Sequence, residues 1–208
     1  MSWKRGGRGY HHGNLREALI RAALELIAEK GPSGFTVAEA ARSAGVSPAA
    51  PYRHFRDRDE LLVDVALRGF ELFAEALEEA WNEGRPDAHA AFERVGRAYL
   101  AFARTQPAYY ATMFESGLPH GATPELREAT ERAYAVLRQA SEALVATLPA
   151  KGRPPASMVS FHVWALTHGI ASLFGRSDEG RRKLPMSPED LLEAGMLIYL
   201  QGLEPKAE

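Results

Sequence analysis

Residues Thr36 to Arg58 read TVAEAARSAGVSPAAPYRHFRDR, and this stretch decides the fold. Thr36 is placed to cap a helix, and Glu39, three residues on, completes a reciprocal capping arrangement. Val37, Ala40 and Ala41 give that helix an apolar stripe at helical spacing. Gly45 falls where the chain must turn, and glycine accepts the left-handed conformation that helix C-termini often use. Val46 can plug the angle beyond the turn. Ser47 can cap a second helix over residues 47–55, with Pro48 at its first position, where no N–H is missed. Ala41 is small, so the second helix can approach closely. Two short helices at a steep angle across a glycine turn make a helix-turn-helix. Pro51 conflicts with a second helix capped at Ser47. It removes the first intrahelical N–H bond and biases Ala50 away from helical angles, so that helix either starts late or has a distorted first turn.

From Phe35 to Leu62 the chain follows F-T-V-x-x-x-A-x-x-A-G-V-S-x-x-x-x-Y-x-H-F-x-x-K/R-D/E-x-L-L. This resembles the DNA-binding domain of TetR/AcrR-family transcriptional regulators. The run Tyr10-His11-His12-Gly13-Asn14-Leu15-Arg16 is similar to one branch of that family. Trp164, His168 and Gly169 resemble the Trp-His-Gly signature of a C-terminal domain found in some members. The resemblance implies that Tyr52, His54 and Arg58 contact DNA phosphates, and that Thr36 and Ser47 do so by hydroxyl or backbone N–H. Position argues separately for the base edges. The N-terminal residues of a major-groove helix meet them, and here these are Ser47, Pro48, Ala49 and Ala50. Alanine and proline suit thymine methyls, and Arg53 is the residue able to fork onto guanine.

Charge agrees with a nucleic-acid partner. The net charge is −2, yet residues 1–56 carry nine Lys/Arg against four acidic groups, and the remainder 16 against 23. A basic quarter on an acidic body is the footprint of a nucleic-acid module joined to something else. Residues 1–12 read as a flexible basic arm in which Lys4, Arg5 and Arg8 can follow phosphates. The 208 residues have 46% hydrophobic content and no cysteine, which excludes disulfides and thiolate metal sites and fits a cytoplasmic setting. No apolar run is long enough for a membrane span, so no membrane partner is expected.

In order, the pattern predicts an all-α chain. Asn14 caps a first helix with Leu15, Ala18, Leu19, Ala22 and Leu26 on one face. The helix-turn-helix domain covers 13–58. A connecting helix capped by Asp57 and Glu60 runs over 59–84 and breaks at Gly84-Arg85-Pro86. Residues 85–208 form a helical ligand-binding and dimerisation domain: a helix from Ala88 to Arg104, a short aromatic helix after Pro107, one starting at Thr123-Pro124, one from Pro155 to Phe174, and a last one capped by Ser187.

That last helix is apolar nearly all round, so it must be buried on more than one side. Ala165, Gly169 and Ser172 allow close helix approach. A two-fold homodimer through Ala165, Gly169, Ser172, Leu191 and Ile198, paired as a four-helix bundle, meets both requirements. Phe102, Tyr110, Met113, Phe114, Trp164 and His168 come from three helices and can line a small-molecule pocket. No cofactor is implied. The enzyme motifs G-x-S-x-G, H-E-x-x-H and the phosphate-binding glycine loop are missing from the sequence. The resemblance to TetR/AcrR regulators implies a ligand-responsive repressor that binds a pseudo-palindromic double-stranded DNA operator as a dimer. The alternatives are a ligand-independent or architectural DNA-binding protein, and a helical small-molecule carrier or enzyme.

Overall fold

Thr36 caps α2 (Val37–Ser43) as its spacing to Glu39 predicts. The Thr36 hydroxyl accepts from the Glu39 N–H at 3.2 Å, and the Glu39 carboxylate accepts from the Thr36 N–H at 2.8 Å. The other end closes as a Schellman motif. The Gly45 N–H donates to the Arg42 carbonyl and the Val46 N–H to the Ala41 carbonyl, both at 3.0 Å, with Gly45 at φ +71°. The computed structural model describes residues 12–151, 153–174 and 185–203. The 1–11 part of the basic arm, with Lys4, Arg5 and Arg8, lies outside them.

The second half of the motif differs from the expectation of a helix over 47–55. Only Ala50–Arg53 is helical, as a single 3-10 turn preceded by Ala49, and no side chain caps it. Ser47 contributes its carbonyl, which accepts from the Ala50 N–H at 3.0 Å, in place of a hydroxyl cap. Pro51 is the cause. It has no N–H to give, and its ring is buried in the domain core. The Pro51 carbonyl then accepts from both His54 and Phe55, which closes the turn tightly.

Ahead of this motif, α1 (His12–Lys30) begins two residues before Asn14, so Asn14 lies inside the helix and is not its cap. Ile20, Ala23 and Ile27 are buried beside Leu15, Leu19 and Ala22, which widens the apolar stripe. After the motif, α3 (Arg58–Trp81) starts at Asp57, whose carboxylate accepts from the Glu60 N–H at 2.9 Å. The Glu60 side chain turns instead to the Arg56 N–H.

Seen end to end, α3 carries two cores. Leu61, Leu62 and Val65 pack with α1, Phe35, Ala40 and Phe55. Ala66, Phe70, Phe73, Ala74, Leu77 and Trp81 belong to the body. At ~1.5 Å per residue a helix of 24 residues is long enough to join them.

The body is built on that second half. α4 (Ala88–Thr105) and α6 (Pro124–Thr147) flank α3, and α7 (Ala156–Phe174) packs on α6 and α4. α8 (Pro188–Leu203), capped by the Ser187 hydroxyl at the Asp190 N–H, covers α7 and α4. The short α5 (Pro107–Glu115) touches both cores. Ala108, Tyr109 and Ala111 pack on the N-terminal core, while Tyr110 and Met113 are buried in the body. Among the described residues there is no strand, and no helix is long and apolar enough to cross a membrane.

Candidate nucleic-acid interface and body cavity

The surface around the 3-10 turn combines a rigid underside with a small-featured outer side. Pro51 and Phe55 are buried beneath it. Ser47, Pro48, Ala49, Tyr52 and Arg53 are exposed, Ala50 and His54 half-buried. Tyr52 is 59% exposed, which is high for a tyrosine unless its hydroxyl and ring have work at the surface. Arg53 has no ion-pair partner among the described residues, so its guanidinium is free for an external acceptor. Thr36 is exposed at the N-terminus of α2, the positive end of a helix. Arg58 sits at the N-terminus of α3, and its guanidinium donates to the Ser33 carbonyl at 3.3 Å and approaches Asp59 at 3.4 Å. It thereby ties the loop before α2 to the start of α3. The predicted DNA-facing residues thus all belong to one domain, and Thr36, Ser47, Pro48, Ala49, Tyr52 and Arg53 stand on its exposed side.

Ion pairs fix that side to the rest. Arg16 reaches Asp64 at 2.8 Å, and its guanidinium lies 5.8 Å from the centre of the Phe55 ring. Arg68 grips both carboxylate oxygens of Glu17, at 2.7 and 2.5 Å. These two contacts clamp α1 to α3. Burial raises the Asp64 pKa, opposed by the nearby Arg16 and Arg68 charges. The hydrogen bond from Arg68 lowers that of Glu17. At α2, hydrogen bonds from Lys30 and then from Thr36 bring the Glu39 carboxyl down to about 2.

The body holds a cavity of about 120 Å³ between α3, α4, α6 and α7. Phe70, Phe73, Tyr99, Phe114, Tyr134 and Trp164 are among its lining residues, and no Asp, Glu, Lys or Arg among the described residues lines it. Of the residues predicted for a pocket, Phe114 and Trp164 line it. Phe102, Tyr110 and Met113 are buried in the surrounding core. His168 stands just behind, its Nδ1 2.8 Å from the Tyr110 hydroxyl and 3.0 Å from that of Tyr99, with its ring against Phe114 and Trp164. Burial lowers the His168 pKa, which favours the neutral ring, and a neutral Nδ1 can accept a hydrogen bond from a phenol O–H. Sequence reading missed the α3, α4 and α6 contributions. Phe73 and Tyr99 look like ordinary members of apolar helix stripes, and Tyr134 carries no signal at all in the sequence.

A third surface is apolar and outward. On α7, Ala165, Gly169 and Ser172 are exposed, flanked by Phe161 at 55% and Leu173 at 56%. On α8, Ile198 is 71% exposed beside Leu197. Leu191 is half-buried against the body core.

Comparison with known proteins places this architecture. Residues 19–65 match the family described as "Bacterial regulatory proteins, tetR family". Residues 92–197 match "Tetracyclin repressor-like, C-terminal domain". The chain belongs to the TetR family of bacterial transcriptional regulators. The C-terminal match carries this general description.

A protein of unknown function from Rhodococcus sp. RHA1 has the same fold at a TM-score of 0.74, with 33% identity over 96% of this chain and 100% of that one. The regulator PfmR from Thermus thermophilus shares the fold at a TM-score of 0.63 and 24% identity, over 90% of this chain and 99% of that one. The HTH-type transcriptional regulator BetI of Rhizobium meliloti (strain 1021) is 44% identical over 48 residues, 23% of this chain and 24% of its own length. The likeness to the curated relatives thus spans between a quarter and a third of their length.

Proposed function

We propose that this chain is a one-component transcriptional repressor that binds a pseudo-palindromic operator as a two-fold dimer and releases it when a small molecule enters the body. The observation that carries the DNA half is the exposed 47–53 surface held over buried Pro51 and Phe55. A base-reading surface needs rigidity below and reach above. Ser47, Pro48, Ala49 and Ala50 meet base edges, Arg53 reads guanine, and Thr36, Tyr52, His54 and Arg58 contact phosphates. The 3-10 turn presents fewer residues to the groove than a full helix, so more of the affinity falls on the phosphate contacts.

The dimer proposal rests on the outward apolar face of α7 and α8, through Ala165, Gly169, Ser172, Leu191 and Ile198. Leaving Phe161, Leu173, Leu197 and Ile198 in water costs about 25 cal/mol per Å² relative to covering them. A second copy presents the same face and closes as a four-helix bundle. Half-sites then lie about one helical turn, or a little more, apart.

The ligand response works through α5. Its Phe114 lines the cavity while Ala108, Tyr109 and Ala111 rest on the N-terminal core. A ligand that displaces Phe114 shifts α5 against α1 and α3 and changes the spacing of the two DNA domains. It lowers operator affinity by its differential affinity for the two arrangements. The test is selection of bound fragments from random duplex DNA, followed by affinity at several salt concentrations. The expected result is an inverted repeat bound far more tightly than random sequence. Weak, salt-sensitive and sequence-indifferent binding would overturn the operator reading.

A further inference from the structure

α7 is a helix of 19 residues without one Asp, Glu, Lys or Arg. A surface helix ordinarily carries charged residues on its outward face. Here the outward stripe is Met158, Phe161, Ala165, Gly169 and Leu173, all exposed, and His162 is the one titratable side chain exposed among them. Met158, four residues before it, and Ala165, three after, flank it on the same face. The adjoining part of α8, residues 194–203, carries no charge either. The two helices meet through a polar pair: the Tyr199 hydroxyl lies 3.2 Å from His162 Nδ1, with the rings edge-on and their centres 5.6 Å apart. Burial raises the Tyr199 pKa, so the phenol keeps its proton and donates the hydrogen bond to Nδ1. The proton of a neutral His162 ring then sits on Nε2.

Charged groups on the neighbouring helices are engaged with one another. Arg97 of α4 faces Glu93 and Glu193, Arg104 of α4 holds Glu189, and Arg138 of α6 faces Glu142. The titratable groups turned toward α7 are phenols: Tyr199 of α8 on His162, Tyr134 of α6 against Phe161 and Trp164, and Tyr99 of α4 on His168. None of them can pair with an imidazolium as a carboxylate would. We propose that His162 is a proton-operated control on the dimer: covered by a second copy it must be neutral, and its protonation separates the subunits and so weakens operator binding. An imidazolium buried among apolar side chains without a counter-charge is costly, whereas on the open face of a single subunit water solvates it. The neutral ring is therefore the form the dimer favours. The dimer is stable above the ordinary histidine range, about 6.5, and is lost as pH falls through it. Two-fold symmetry places two copies of His162 in one interface, so each dissociation takes up as many as two protons. The inference rests on the α7 and α8 face being the dimer interface of the proposed regulator. It adds what regulates that interface.

The experiment is fluorescence-detected sedimentation of the full chain, without DNA, at constant ionic strength. The unaltered protein is compared with His162→Phe and His162→Gln, and circular dichroism at each pH reports on the fold. Between about pH 7.5 and about pH 5.5 the dimer dissociation constant of the unaltered chain should rise at least tenfold, while that of either variant should change by less than about threefold. Both variants keep His168, so any part it plays stays in the comparison. A dissociation constant that ignores pH in the unaltered chain would overturn the inference and leave the dimer reading standing. Variants that keep the full pH dependence would do the same. A chain that is monomeric at every pH would overturn the dimer reading and the inference with it. Loss of helical signal at the lower pH in all three proteins would also overturn the inference, because general acid unfolding would then account for the dissociation.

Discussion

The two halves of α3 stand in two regions built from similar amphipathic helices and finished differently. Around the N-terminal half the core side chains are almost fully buried, and caps and arginine clamps tie the polar groups, apart from a buried Asp64 Oδ2 that has no hydrogen-bond partner among the described residues. Around the C-terminal half the core is left open by about 120 Å³, and the Trp81 Nε1 and the Tyr134 hydroxyl are buried without a hydrogen-bond partner among the described residues. A surface that must fit a fixed partner gains from rigidity. A site that must respond to a ligand needs a gap. The Asp64–Arg16 and Glu17–Arg68 contacts, with α5, lie where the two meet.

The largest way to break the contrast is to open a gap in the filled region. Phe55→Ala removes a ring that is 1% exposed and should cost about 3–5 kcal/mol. Hydrogen exchange should then rise in α1 and α2 while α6 stays protected. Uniform loss of protection would mean that the two regions unfold as one. A smaller effect is expected at the third surface. Ile198→Glu places a charge in the proposed dimer face and should weaken dimerisation by about 2 kcal/mol or more, with the helical content unchanged. Sedimentation at several concentrations reads this directly, and an unchanged dimer would move the interface elsewhere.

Within the DNA-facing region, Arg53→Ala should cost about 1–3 kcal/mol at a single base-pair position and relax preference there. Arg58→Ala should instead weaken all sequences alike and flatten the salt slope by about one unit. Operator variants titrated at two salt concentrations separate the two roles.

The smallest effect concerns the α2 cap. Glu39 has its carboxyl lowered from 4.5 to about 2, so the folded form holds its charge more strongly than the unfolded chain does. Its contribution is present above the usual Glu range and is lost as pH falls from about 4.5 to about 2. Glu39→Gln should therefore be less stable than the unaltered chain at neutral pH, by an amount that shrinks to nothing near pH 2. Acid unfolding followed by circular dichroism measures the difference, and a gap that persists at the lowest pH would rule out the carboxylate as its source.

Much of the DNA-facing region was legible because its signals are local. Thr36, Glu39 and Gly45 act through hydrogen bonds within a few residues of themselves, so their spacing in the chain is their spacing in space. Pro51 announced a disturbance, but not its form. Whether the helix starts late or bends depends on the Pro51 ring finding room in the core, which is set by α1 and Phe55. The cavity was less legible. Phe114 and Trp164 were named, whereas Phe70, Phe73, Tyr99 and Tyr134 look in sequence like any apolar or neutral helix position. Met113 and Phe102 fall in filled core because helix rotation directs them there.

The sequence by itself therefore determined the all-helical architecture, the caps of α2, α3 and α8, the glycine turn, the joining of two cores by α3 and the apolar character of α7 and α8. Each follows from periodicity, capping and composition, which act over one to four residues. Only the tertiary structure decided that Ala50–Arg53 is a 3-10 turn, that α5 touches both cores, and that a gap remains among α3, α4, α6 and α7. Those outcomes depend on how helices distant in the chain rotate and interlock. Packing is a property of the whole set of contacts, and no stretch of residues carries it alone.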